Sequence, residues 1–281
     1  MVDSVRLIFR LWGLSARMDW LLLSRDARTG LIYIVSDWIS ALSSVMGIAL
    51  LAVRFDGIGA LSADEILWML GFFTLADGFT NMMLGSCNWL WVSRVVGRGQ
   101  VDHMLIQPIP LWMQILTGGF LPFTGSSCFL TGVGLTAFAT IRLGIPMTPG
   151  WLLLLVVYVL ARMAVATGTS YIAGSAAFYR PVSCEELSTV VLDALNAAGK
   201  YPMAALPVWM QGLFVTVLPV GLMAYVPSLL MLKRLDAPLA YVWPVAMGAA
   251  FLSLGGLLFR KGLKHYARHG CPRYKAMGFR N

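Results

Sequence analysis

Asp37, Asp77 and Arg162 stand inside long apolar stretches of this chain, where a charge is costly and marks either pairing or function. At about 1.5 Å of rise per residue, Asp77 lies about 12 residues and Arg162 about 11 residues below the outer ends of their stretches. Both are thus roughly 16–18 Å deep, near the midplane of a hydrocarbon core about 30 Å thick, and can form an ion pair. Such a pair either holds two helices together or takes part in a substrate or gating step. Asp37 lies only about two turns above the cytoplasmic end of its stretch, within reach of the interface or of Arg28, which suits a structural role.

Other candidate chemistry is thin. The histidines His103, His265 and His269 all fall outside the apolar stretches. Ser126 and Ser127, in Thr-Gly-Ser-Ser, have the look of an intramembrane serine hydrolase, but no histidine at membrane depth can activate either. Their other reading is close helix packing through small residues. Cys87, Cys128, Cys184 and Cys271 occur singly, without Cys-x-x-Cys spacing, so they read as small apolar filler and not as a metal site or disulfide framework. A phosphate-binding loop needs Gly-Lys followed by Ser or Thr; Gly199-Lys200 is followed by Tyr201. No catalytic, cofactor-binding or metal residue is expected on this chain. If it drives active transport, another polypeptide must hydrolyse ATP or an ion gradient must supply the drive.

Helices must position these charges. Of 281 residues, 58% are hydrophobic and 12% charged, against about half and a quarter in soluble domains. That excludes a large soluble domain and predicts an all-α polytopic membrane protein. Residues 1–28 interleave arginines with Leu7, Trp12 and Trp20, the pattern of an amphipathic helix lying in the headgroup layer and not of a cleavable signal peptide. A bundle of six transmembrane helices is predicted over 29–260, with spans at about 31–53, 65–90, 111–141, 151–178, within 204–232, and 239–259. Pro122 and nearby glycines should bend the third. Ser183 to Glu186 reads as a capping box opening a surface helix to about Ala198, with Leu187, Val190, Val191 and Leu195 on one face. Pro207, Pro219 and Pro227 make 204–232 too broken for one straight crossing, so a fifth span followed by a re-entrant piece is expected. Residues 261–281 form a basic tail.

The net charge of +8 would suggest nucleic acid in a soluble protein. Here sixteen Lys and Arg fall on the side holding both termini and four on the other. The basic residues therefore read as orientation signals that place both termini in the cytoplasm, with no nucleic-acid partner.

The loop after the second span, Gly97-Arg-Gly-Gln-Val-Asp-His-Met-Leu-Ile-Gln-Pro-Ile-Pro110, resembles the Gly-Glu-Leu-Asp-x-x-Leu-x-x-Pro-x-Pro loop of permeases of ABC type 2 exporters. The similarity extends to Lys200-Tyr-Pro202, to Leu218 through Pro227 and to Gly262-Leu-Lys-His-Tyr266. It looks like the subgroup of about 260–280 residues paired with a separate ATPase and often a second related permease. The resemblance implies a homodimeric or heterodimeric permease in a bacterial cytoplasmic (inner) membrane, with ATP and Mg on the partner ATPase. It also implies that this loop is a coupling helix docking on that ATPase. Gly99, Asp102, Leu105, Pro108 and Pro110 match the family pattern; Gln100 replaces its usual acidic residue and Gln107 an often basic one, and His103 lies between them. The residues agree: a short helix bounded by Gly99 and Pro108, with Val101, Leu105 and Ile106 available to a groove and Asp102 near its N-terminus, can transmit a push. Pro219, Tyr225 and Pro227 are expected to form a re-entrant gate at the outward end. The rival readings are an ion-coupled secondary transporter or channel using Asp77 and Arg162, and an intramembrane enzyme. Membrane lipids are expected around the bundle in every case.

Overall fold

The computed structural model describes residues 2–85 and 90–270. Cys87, Trp89, Cys271 and the rest of the basic tail from 271 lie outside the described residues. The helices are α1 (Val2–Arg25), α2 (Ala27–Arg54), α3 (Ala63–Leu84), α4 (Val92–Gly97), α5 (Val101–Leu105), α6 (Leu111–Gly118), α7 (Ser126–Arg142), α8 (Pro149–Gly174), α9 (Leu187–Gly199), α10 (Val208–Thr216), α11 (Tyr225–Met231) and α12 (Pro238–His269). Among the described residues there is no strand. Four helical stretches are long and apolar enough to cross a membrane, Arg28–Arg54, Ala63–Leu84, Pro149–Phe178 and Pro238–His269.

Local chemistry sets where the long helices begin. Asp26 caps α2 by accepting from the amides of Arg28 and Thr29; the Thr29 hydroxyl and amide hold its carboxyl below the usual carboxylate range. Ser62 and Glu65 close a reciprocal capping box at α3. Thr148 caps α8 with Pro149 at its first position, where the missing amide has no helical partner to lose.

Helix α3 is the centre of the bundle: Ile66, Trp68, Met69, Leu70 and Phe72 are fully buried. It lies so close to α7 that a Cβ at Gly132 would collide with the Leu75 backbone and one at Gly78 with that of Phe129. Trp68 Nε1 donates to Thr140 Oγ1 across the same interface at 2.9 Å. On the other side α8 and α12 run parallel, with a Cβ at Gly248 falling 2.9 Å from the Ala161 carbonyl oxygen and one at Gly255 only 2.6 Å from that of Gly168.

Several sequence-based boundaries shift. The second span ends at Leu84, not Leu90. The third is fully divided, into α6 and α7, because residues 119–125 leave the helix. Asp19 of α1 stabilises that break: its carboxylate accepts from the amides of Phe123 and Thr124 and from the Thr124 hydroxyl. Trp12 and Ser15 likewise donate to the free carbonyls of Leu116 and Thr117, so α1 docks on the bundle. Ser183 to Glu186 form turns without a capping box, and α9 starts at Leu187 with no side-chain cap. It buries Ser188, Leu192, Leu195 and Gly199, while Leu187 and Val190 are exposed. The 204–232 block contains no continuous crossing: it holds the end of a 3-10 turn at Met203–Ala205, the nine-residue α10, a 3-10 turn at Pro219–Leu222 and the seven-residue α11. The last helix continues through His269, taking in residues expected in the tail.

Candidate functional site

At the centre of α3 and α8, Arg162 Nη2 lies 2.6 Å from Asp77 Oδ1. Each residue is about 20 Å along its helix from the helix N-terminus. Arg162 is 1% exposed, so its guanidinium has lost water and needs partners on every side. It finds Asn196 Oδ1 of α9 at 2.9 Å, Thr80 Oγ1 at 3.0 Å and the Ala76 carbonyl at 3.4 Å, and its plane lies 5.3 Å from the centre of the Phe73 ring. Asn81 Nδ2 donates to the second Asp77 oxygen at 3.2 Å. Thr80 and Asn81 share the Asp77 face by helical spacing, and that pattern of polar residues was the readable signal for them. Asn196 carried none.

Asp37 joins this group, contrary to the expectation that it reaches the interface or Arg28. Helix α2 starts at Ala27, which puts Asp37 about 15 Å along it, beside Asp77 in the lining of one cavity. There it accepts a hydrogen bond from Ser127 of α7. Asp37, Asp77, Asn81, Ser44 and Lys200 line one cavity of about 250 Å³ between α2, α3 and α7. Lys200 Nζ donates to the Ser44 carbonyl at 3.4 Å and lies 5.5 Å from the Phe73 ring. Two carboxylates and two cations thus gather around this region: the Arg162 contacts join α3, α8 and α9, and the Asp37–Ser127 bond joins α2 and α7.

The loop from Gly97 to Pro110 is held at both ends. Ser93 of α4 and Ser188 of α9 exchange amide-to-hydroxyl bonds at 3.1 Å, and the Ser93 hydroxyl donates to the Glu185 carbonyl. Arg94 pairs with Glu186 at 2.7 Å and Arg98 with Glu185 at 3.0 Å. Gly99 turns the chain at φ +70, a conformation glycine adopts without strain. On the far side, Gln114 Nε2 donates to the carbonyls of Met104 and Ile109, bracing α5 against α6, and Pro110 occupies the α6 N-cap. Gln114 and Ser188 are buried polar residues that sequence reasoning passed over. Val101 is 2% exposed and packs inward, so it is not available to a partner groove. The outward surface is Asp102, His103, Leu105, Ile106, Gln107 and Pro108, with Ile106 81% exposed. Gln100 is half-buried at the α5 N-cap.

Pro219 opens the 3-10 turn and Tyr225 and Pro227 lie in the first turn of α11, all three buried. Arg234, just beyond α11, pairs with Glu65 at 2.5 Å and anchors this segment to the start of α3.

A family model for ABC-2 family transporter proteins matches residues 38–270. No curated protein and no solved structure matches the chain. The family match takes in the Asp77–Arg162 pair, the braced loop and the proline-broken segment together, and this chain therefore belongs to the ABC-2 transporter family, as a permease subunit embedded in the membrane.

Proposed function

We propose that the chain is the membrane-spanning subunit of an ATP-driven exporter. It forms the pathway with a second permease, a copy or a paralogue, while separate cytoplasmic subunits bind ATP and Mg and carry out hydrolysis. Six crossings suit this role, with α6 and α7 together as the third and the α10 and α11 region as a fifth with a re-entrant end. Both termini then face the cytoplasm of a bacterial inner membrane, and the Pro219–Pro227 segment narrows the outward end.

One observation carries the reading: an exposed surface from Asp102 to Pro108 stands on a loop tied by ion pairs and hydrogen bonds to α9 on one side and α6 on the other. A surface fixed in this way transmits displacement to the bundle, whereas a slack loop would absorb it. Closure of the ATPase subunits around ATP moves α5, and α4 and α6 carry the motion to α8, α9 and α3. The pathway then alternates between inward-open and outward-open populations. The Asp77–Arg162 network lies where that motion arrives and supplies a joint between α3, α8 and α9.

The assembled complex provides the test. Asp102→Ala or Leu105→Asp should leave membrane insertion intact and ATP hydrolysis running while transport falls at least about tenfold, the loss expected when a contact worth about 1.4 kcal/mol is removed. Transport at the normal rate in both variants would overturn the docking assignment.

A further inference from the structure

A second and larger cavity, about 620 Å³, lies between α6, α8 and α12 and is lined almost wholly by apolar side chains. It follows α8 from Leu160 to Tyr171 and α12 from Leu252 to Arg260, about 16 Å and 12 Å of helix. Its volume falls within the range of about 300–1,000 Å³ typical of small-molecule sites. A Cβ added at Gly256 would meet nothing within 4 Å, so the groove holds unfilled space halfway along α12.

Polar groups interrupt the lining only toward one end. Thr167 and Tyr171 stand one turn apart on α8, and both hydroxyls are buried without a hydrogen-bond partner. Tyr171 is 8% exposed. A native interior rarely leaves two neighbouring hydroxyls unsatisfied; both are sealed as they stand, and a small side-chain rotation toward the groove would let a ligand there satisfy them. Tyr171 packs on Phe259 at 5.0 Å, next to Arg260, the residue that ends the groove, and Thr167 stands one turn further from it. Arg260 and Lys264, one turn further on, are exposed and form no ion pair among the described residues. The lining therefore runs from apolar, through two hydroxyl donors, to positive charge, which is complementary to an anionic amphiphile along its length.

We propose that this groove binds an anionic phospholipid. One acyl chain lies along α8 and α12, the Thr167 and Tyr171 hydroxyls donate to its ester carbonyl oxygens, and Arg260 pairs with its phosphate. Unpaired basic residues at the end of a membrane groove select anionic over zwitterionic head groups. On the proposed orientation, on which this leaflet assignment rests, the head group lies in the cytoplasmic leaflet.

Native mass spectrometry of the full chain in detergent, titrated with phosphatidylglycerol and with phosphatidylcholine, tests the site. The phosphatidylglycerol adduct should be retained preferentially. Arg260→Gln should weaken it by about fivefold, the loss expected for one basic residue near the membrane surface. Gly256→Leu, which puts a side chain into the groove where a Cβ meets nothing within 4 Å, should abolish the preference. Lys261→Gln, the same charge change off the groove, should leave it intact. Equal retention of the two lipids, no effect of Gly256→Leu, or equal losses from Arg260→Gln and Lys261→Gln would each overturn the proposal. The measurement needs neither an ATPase nor transport. A missing adduct therefore counts against this site alone, and a missing ATPase against the exporter reading alone.

Discussion

Arg162 illustrates how a single buried charge organises its surroundings. With Asp77, Asn196, Thr80 and Phe73 all turned to it, removing Asp77 strands the buried guanidinium without its counter-charge. Asp77→Leu should therefore destabilise the chain by about 3–5 kcal/mol, while combining it with Arg162→Met should restore most of that loss. Thermal unfolding in detergent reads both, and a single variant as stable as the parent would show that the pair does not hold the bundle. Asp19→Ala should release residues 119–125. Losing hydrogen bonds to a charged acceptor costs about 1.5–3 kcal/mol, and limited proteolysis should then cut at the break; an unchanged digest would contradict the role given to Asp19. The pairing of Asp77 with Arg162 was legible from sequence because a charge in an apolar helix has few ways to be satisfied. Asp19 was not. Its acceptor role depends on amides more than 100 residues away, and locally it only interrupts an apolar run.

Among the elements, the α3–α7 interface rests on backbone contact. Gly132 sits where any Cβ meets the Leu75 backbone, whereas Gly134, two residues on, faces open space. Gly132→Val should prevent accumulation of folded protein and Gly134→Val should leave yield within about twofold, a difference below about 0.5 kcal/mol as for substitutions away from packed sites. Monodispersity on size exclusion compares them, and similar behaviour of the two would refute the close approach. Helices α2, α3, α8 and α12 could be read from apolar length together with Asp26, Ser62 and Pro149. The divided third and fifth segments could not be placed, because their ends depend on partners from elsewhere in the chain. Asp19 holds the break after α6, and the Arg234–Glu65 pair anchors the chain beyond α11. The buried face of α9 was misjudged for a related reason. Ser188 goes inward to meet Ser93, so a polar residue marks the packed side, and apolar periodicity points elsewhere.

At the scale of the whole molecule, two layers of polar contact link the loop on one face to the bundle core. The outer layer is Arg94 and Arg98 with Glu186 and Glu185; the inner is Arg162 with Asp77 and Asn196. Helix α9 belongs to both: Ser188 at its start holds α4, and Asn196 near its end holds Arg162. A load applied at Ile106 therefore reaches membrane depth through packed and hydrogen-bonded groups and not through a flexible linker. Replacing Ile106 by a photo-crosslinking residue, in membranes that carry the intact complex, tests this account most directly. The predicted result is an adduct to a nucleotide-hydrolysing subunit on the cytoplasmic face, formed in one direction of the nucleotide cycle more than in the other. Labelling of position 106 by a membrane-impermeant reagent from the outer face, or a fully active complex that yields no such adduct, would contradict it.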